Sequence, residues 1–130
     1  MRLLIVRHAE AEPGEPDELR TLTPAGHEQA RELGNRLREQ GVKPDAVVSS
    51  PLLRARETAR ELGFGEPEVD ERLAPGATPL DVREAAARRG QTVLLVGHQP
   101  DCSRAVAVLT GGDEPAFPPC GHAFVELDSA

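Results

Sequence analysis

Three short apolar runs limit what this chain can fold into: Leu3-Leu4-Ile5-Val6, Ala46-Val47-Val48 and Thr92-Val93-Leu94-Leu95-Val96. Each is continuous rather than alternating and too short for a buried helix, the pattern of a strand covered on both faces. Helical segments lie between them. Thr23-Pro24 reads as an N-cap followed by proline at the first helical position, with Ala30, Leu33 and Leu37 at helical spacing and Gly41 as the stop. Ser50-Pro51 repeats that start before Ala55, Ala59 and Leu62, with Gly63 as the stop. Thr78-Pro79 opens a third helix, with Asp81 placed for a capping box, and Arg88-Arg89 are expected at its end. Cys102, Ala105, Val106 and Leu109 mark a fourth helix, stopped at Gly111-Gly112, and the alternating tail Ala123–Leu127 reads as an edge strand.

Strands alternating with helices predict a three-layer α/β/α sandwich with a mostly parallel sheet and an antiparallel edge strand. With 130 residues and no linker-like stretch, residues 1–130 are expected to form one domain. In such sheets ligands sit beyond the carboxyl ends of the strands, so the informative residues are those just after each run. They are Arg7-His8 after the first, Ser49-Ser50-Pro51 leading to Arg54 after the second, and Gly97-His98 after the third.

Two guanidiniums and two imidazoles thus fall at one sheet edge, in a chain of net charge −7. Arginine offers a planar fork of donors that matches phosphate oxygens, and Arg54, in the first turn of a helix, adds the helix dipole. Histidine with one ring nitrogen unprotonated can attack phosphorus, and His8 stands where it would; His98 is placed to donate as charge builds on the oxygens. His27, His122, Arg56 and Asp101 read as surface, turn or helix-start residues without a chemical role.

Other chemistries lack their residues. There is no GxxxxGK loop, and Lys43 is the only lysine. No HExxH occurs, neither Cys102 nor Cys120 has an arginine six positions later, and no paired His or Cys spacing points to zinc. The two cysteines are expected as buried thiols. The acidic balance and the absence of Tyr and Trp disfavour nucleic acid, and no apolar run is long enough to cross a membrane. An N-terminus reaching Arg7-His8 so early is unlike a signal peptide and predicts a cytoplasmic location.

Four blocks, Val6-Arg7-His8-Ala9-Glu10, Leu22-Thr23-Pro24-Ala25-Gly26, Ser49 through Ala59 and Val96-Gly97-His98-Gln99-Pro100, resemble the histidine phosphatase, or phosphoglycerate-mutase-like, superfamily in its order. The size and the last block look most like its short SixA-type phosphohistidine phosphatase branch. The resemblance implies a phosphatase with a phosphohistidine intermediate on His8. Arg7, Arg54 and His98 would bind the transferring group, with Thr23 near the pocket rim on the substrate side, as an N-cap, or as both, and no metal or organic cofactor is expected. The implied substrate is phosphohistidine on a protein, with inorganic phosphate as product. A small sugar or nucleotide phosphate is the alternative, and a phosphate-binding module without turnover is a third. Two departures matter. Where many members carry a general-acid Glu after an Arg-Leu pair, Arg72-Leu73-Ala74 leads to Pro75; Glu71, Asp81 and the acidic segment Glu10–Glu18 are the candidate substitutes. Only about 28 residues, Gly65 to Thr92, separate the second helix from the central strand, where larger members insert a cap. The pocket is therefore expected to be open to a protein surface.

Overall fold

A computed structural model describes residues 1–128. The strands are β1 (Arg2–Arg7), β2 (Ala46–Ser49), β3 (Glu68–Val69), β4 (Thr92–Gly97) and β5 (His122–Glu126). The helices are α1 (Pro24–Glu39), α2 (Leu53–Glu61), α3 (Pro79–Ala86) and α4 (Asp101–Thr110), with 3-10 turns at Asp17–Leu19 and Glu71–Leu73. The sheet order is β3-β2-β4-β1-β5, parallel throughout except for β5, which runs antiparallel to β1. The expected antiparallel edge is therefore present.

Successive side chains of the continuous apolar runs feed opposite layers, as a strand's twofold period demands. Leu4, Val6, Val47, Leu94 and Val96 meet Ala30, Leu33 and Leu37 of α1 and Ala55 and Ala59 of α2 on one face. Leu3, Ile5, Val48, Val93 and Leu95 meet Val82, Ala85 and Ala86 of α3 and Ala105 and Val106 of α4 on the other. This is the three-layer sandwich. Gly34 lets α1 approach α2 closely, since a Cβ there would lie 2.1 Å from the Leu62 carbonyl oxygen.

The helix starts at Thr-Pro hold. Thr23 Oγ1 accepts from Gly26 N at 2.9 Å, and Thr78 and Asp81 form a complete capping box. Gly111 ends α4 in the left-handed conformation, φ 74°. Ser50-Pro51 does not start α2, which begins at Leu53; Ser50 Oγ accepts from Leu52 N and meets His98 instead. Nor do Arg88 and Arg89 end α3. The helix stops at Ala86, Arg88 turns left-handed (φ 64°), and Arg89 reaches back to Ala85 O, Glu68 and Asp70. The segment Gly65–Thr92 is spent on β3, a 3-10 turn and α3, the last packed into the core, so it carries no inserted helical cap.

Candidate active site

Because β1, β2 and β4 run parallel, residues 7–8, 49–50 and 97–98 emerge at one edge. His8 N donates to Gly97 O at 3.0 Å and Ser50 N to Val96 O at 3.0 Å, tying the three strand ends together. The His8 and His98 rings lie 5.2 Å apart between centroids, tilted by 59°. His8 Nδ1 lies 2.7 Å from Ala9 O; a carbonyl can only accept, so Nδ1 carries the hydrogen and Nε2 keeps a free lone pair. Ala9 N in turn donates to Thr58 Oγ1 at 3.0 Å, and Thr58 Oγ1 donates to Arg54 O at 2.8 Å. Thr58 thus sets the distance between the loop after β1 and the start of α2.

Both guanidiniums are held from behind. Arg7 Nη1 donates to Phe117 O at 2.9 Å. Arg54 Nη1 donates to Asp17 O at 2.9 Å, and Nη2 meets Asp17 Oδ2 at 3.3 Å. The Nε atoms of Arg7 and Arg54 are buried and bond to no group among the described residues. A buried N–H of a cation left unpaired is costly, and native structures keep one where a ligand meets it. The arrangement offers forked donors to an oxyanion beside an imidazole lone pair.

Burial is the largest cause holding His8 down at about 4, aided by Arg54 and Arg7, against the raising effect of Ala9 O. Burial likewise takes His98 to about 3, with His8 and Arg54 adding to it. Both imidazoles are therefore neutral at neutral pH. Protonation favours the unfolded chain here, so these groups make stability rise with pH between the folded value and about 6.5, and cost stability as pH falls through that window. NMR titration of the ring resonances is expected to place His8 near 4, and midpoints near 6.5 for both rings would contradict the geometry.

The four residues Arg7, His8, Arg54 and His98 are brought together as expected. Thr23 is not joined to them by a hydrogen bond. Its hydroxyl caps α1 and donates to Glu10 Oε2 at 2.7 Å, so the N-cap reading is the one its contacts carry. Pro75 sits in an exposed loop pinned by Asp101, whose Oδ2 accepts from Gly76 N and Ala77 N at 2.9 and 3.1 Å. Asp101, expected as a bland helix-start carboxylate, is thus a buried tether. Asp81 is spent on its capping box, which also holds its carboxyl below the usual range. His27 is half-buried rather than solvent-facing, 3.4 Å from Glu61 Oε2. Asp17 and Thr58 were not singled out by sequence reasoning, and Ser50 was read as a helix start at the end of the second strand rather than as a partner of His98. Thr58 and Ser50 lie in the block around Arg54, which was the available signal; Asp17 had only its place in an acidic segment. Cys102 and Cys120 are buried and free, with thiols pushed by burial to about 12 and about 11, so neither is a nucleophile at neutral pH. Among the described residues no group of three His, Cys, Asp or Glu could hold a metal ion.

Residues 3–77 match the family model of the histidine phosphatase superfamily, branch 1. The chain is 34% identical to phosphohistidine phosphatase SixA of Escherichia coli K12, covering 100% of this chain and 88% of that one. It is 38% identical over 104 residues to the mitochondrial serine/threonine-protein phosphatase Pgam5 of Drosophila mojavensis. That match covers 78% of this chain, which spans only 34% of that relative and 20% of its Drosophila persimilis counterpart. A solved structure of the protein histidine phosphatase SixA complexed with tungstate superposes with a TM-score of 0.89 at 30% identity, covering 98% of this chain and 89% of that one.

Proposed function

This chain belongs to the histidine phosphatase superfamily, and from that premise we propose that it is a phosphatase that removes phosphate from histidine on a protein through a phospho-His8 intermediate. The observation that carries the reading is the pair of buried, unpartnered Arg7 and Arg54 Nε atoms beside a histidine whose Nε2 is free. The resemblance to a SixA structure complexed with tungstate, an oxyanion, is in keeping with an anion-binding protein.

In the first step His8 Nε2 bonds to phosphorus as the bond to the substrate nitrogen breaks, and the electron pair leaves with the substrate imidazole. Arg7 and Arg54 hold the phosphoryl oxygens. The phosphoryl charge draws a proton from solvent onto His98, whose imidazolium then donates to those oxygens. Water next attacks phospho-His8 and releases inorganic phosphate.

The leaving group decides between substrate classes. Charge accumulates on the departing atom in a loose transition state. An alkoxide needs an acid, worth typically ~10²–10⁴-fold in rate, and Pro75 stands where the family resemblance places one. A phosphohistidine ring protonated on its far nitrogen leaves as neutral imidazole without such help, its pKa being near ~6.5. The absence of an inserted cap also leaves the pocket within reach of a protein-borne substrate. The test compares kcat/KM at one pH for a phosphohistidine peptide, an aryl phosphate and a sugar phosphate, with trapping of an acid-labile phosphoenzyme. The expected order is phosphohistidine, aryl, sugar. A sugar phosphate cleaved as fast as phosphohistidine would overturn the substrate assignment in favour of a small-ester phosphatase.

A further inference from the structure

Asp17 is the carboxylate that the fold brings onto the phosphate-binding arginine. It comes from the loop between β1 and α1, closed at its neck by the Ala11–Leu22 bridge. Glu57 of α2 accepts from Thr21 Oγ1 and from Leu22 N at 2.8 Å, and Arg20 Nε donates to Glu12 O at 2.7 Å. The loop is thereby fixed on α2, the helix that carries Arg54. Its 3-10 turn presents Asp17 to Arg54 with both main-chain and side-chain oxygen. Arg54 is 7% exposed and Asp17 57%, so the carboxylate lies on the solvent side of the guanidinium, close enough for its charge to act on His98.

In-line transfer places the leaving group opposite the nucleophile. Opposite the half-buried His8 the leaving group departs toward solvent, the side on which Asp17 lies. We infer that Asp17 determines specificity by favouring substrates whose leaving group carries positive charge, above all a phosphohistidine ring protonated on its far nitrogen. The inference rests on the phosphohistidine reading and adds to it a reason for selectivity that the missing acid does not supply. An anion on that side stabilises the protonated, reactive ring and the charge it retains in the transition state. The same anion repels an acidic leaving group such as a sugar bearing further phosphates.

In the ligand-free protein Asp17 carries a charge and no proton. The hydrogen bond from Arg20, and after it the charge and hydrogen bond of Arg54, hold its carboxyl below the usual carboxylate range, so it is ionised at neutral pH. It acts by charge, and it is also a positioning residue for Arg54. The two contributions separate because Asp17→Asn keeps the main-chain oxygen and an amide oxygen for Arg54 while removing the charge.

The experiment uses the full chain as wild type, Asp17→Asn and Asp17→Glu. The probes are a phosphohistidine peptide and two aryl phosphates differing only in a ring trimethylammonium or a ring carboxylate. Dividing each variant rate by the wild-type rate cancels the leaving-group pKa of each ester. Asp17→Asn is expected to lower kcat/KM for the cationic ester about fivefold more than for the anionic one, as removal of a unit charge at several ångströms predicts. The phosphohistidine peptide should follow the cationic ester, and Asp17→Glu should restore the ratio. Equal losses on both esters would show that Asp17 only positions Arg54, and would overturn the inference. The wild-type rate on the peptide is read separately. Its absence would remove the proposed substrate while the ester pair still decides the role of Asp17.

Discussion

His8→Ala is expected to fold and to turn over nothing: kcat should drop at least ~10⁴-fold, and no acid-labile phosphoenzyme should be trapped, because the nucleophile is gone and no neighbour replaces it. His98 lies 5.2 Å away between ring centroids, but its Nε2 is engaged with Ser50 Oγ at 2.8 Å, and the thiols of Cys102 and Cys120 are held protonated. The fold should survive because the His8 side chain makes one local hydrogen bond, to Ala9 O, while its backbone N–H and C=O carry the contacts to Gly97 and Cys120. Circular dichroism and thermal unfolding would check this, and a thermal midpoint close to wild type is the expected result. Anion binding should also survive, since the arginines remain. Retention of substantial turnover would mean that phosphorus is attacked by something other than this imidazole.

The second large effect concerns Arg54. Arg54→Ala is expected to lower kcat/KM about 10³-fold, the loss typical of removing preorganised donors from a site where charge develops. Arg54→Lys should recover little of this. A lysine ammonium restores the charge but not the fork: its three donors leave one atom, and they cannot reproduce the spread from Nη1 and Nη2 at Asp17 to the separate Nε. Inhibition by vanadate distinguishes the causes. Weakened inhibition in parallel with kcat/KM locates the loss in holding the phosphoryl group. Unchanged vanadate inhibition in Arg54→Ala would place the anion elsewhere and remove Arg54 from the cradle.

Much of this architecture could be read from the residues, for a definable reason. Leu3–Val6 and Val93–Val96 are buried on both faces, and that double burial shows as uninterrupted apolar runs. Thr23-Pro24 and Thr78-Pro79 combine a capping hydroxyl with a preset φ, and both begin helices. β3 escaped notice because it is two exposed residues, Glu68 and Val69, with no burial pattern to betray it. The 3-10 turn at Asp17–Leu19 escaped because none of its residues is buried; only tertiary contacts fix it. The site divides in the same way. Arg7, His8, Arg54 and His98 follow strands in sequence and were legible from place alone. The Asp17 contact depends on the path of a loop between Glu12 and Arg20, which local sequence does not encode. Ser50 looked like a helix start because Ser-Pro commonly is one, yet its hydroxyl serves His98 and Leu52.

The C-terminal segment closes the site as well as the sheet. Phe117 O receives Arg7, Cys120 N donates to His8 O, Gly121 O accepts from Arg7 N, and β5 then pairs along β1. During synthesis those residues leave the ribosome after every other part of the pocket. A nascent chain that has emerged only through Gly112 already contains His8, His98, Arg7 and Arg54, but β1, paired with β4 on one side, is still an open edge on the other, and the Arg7 guanidinium lacks its carbonyl anchor. The pocket is therefore completed only when residues 117–126 have joined β1, together with the last strand of the sheet.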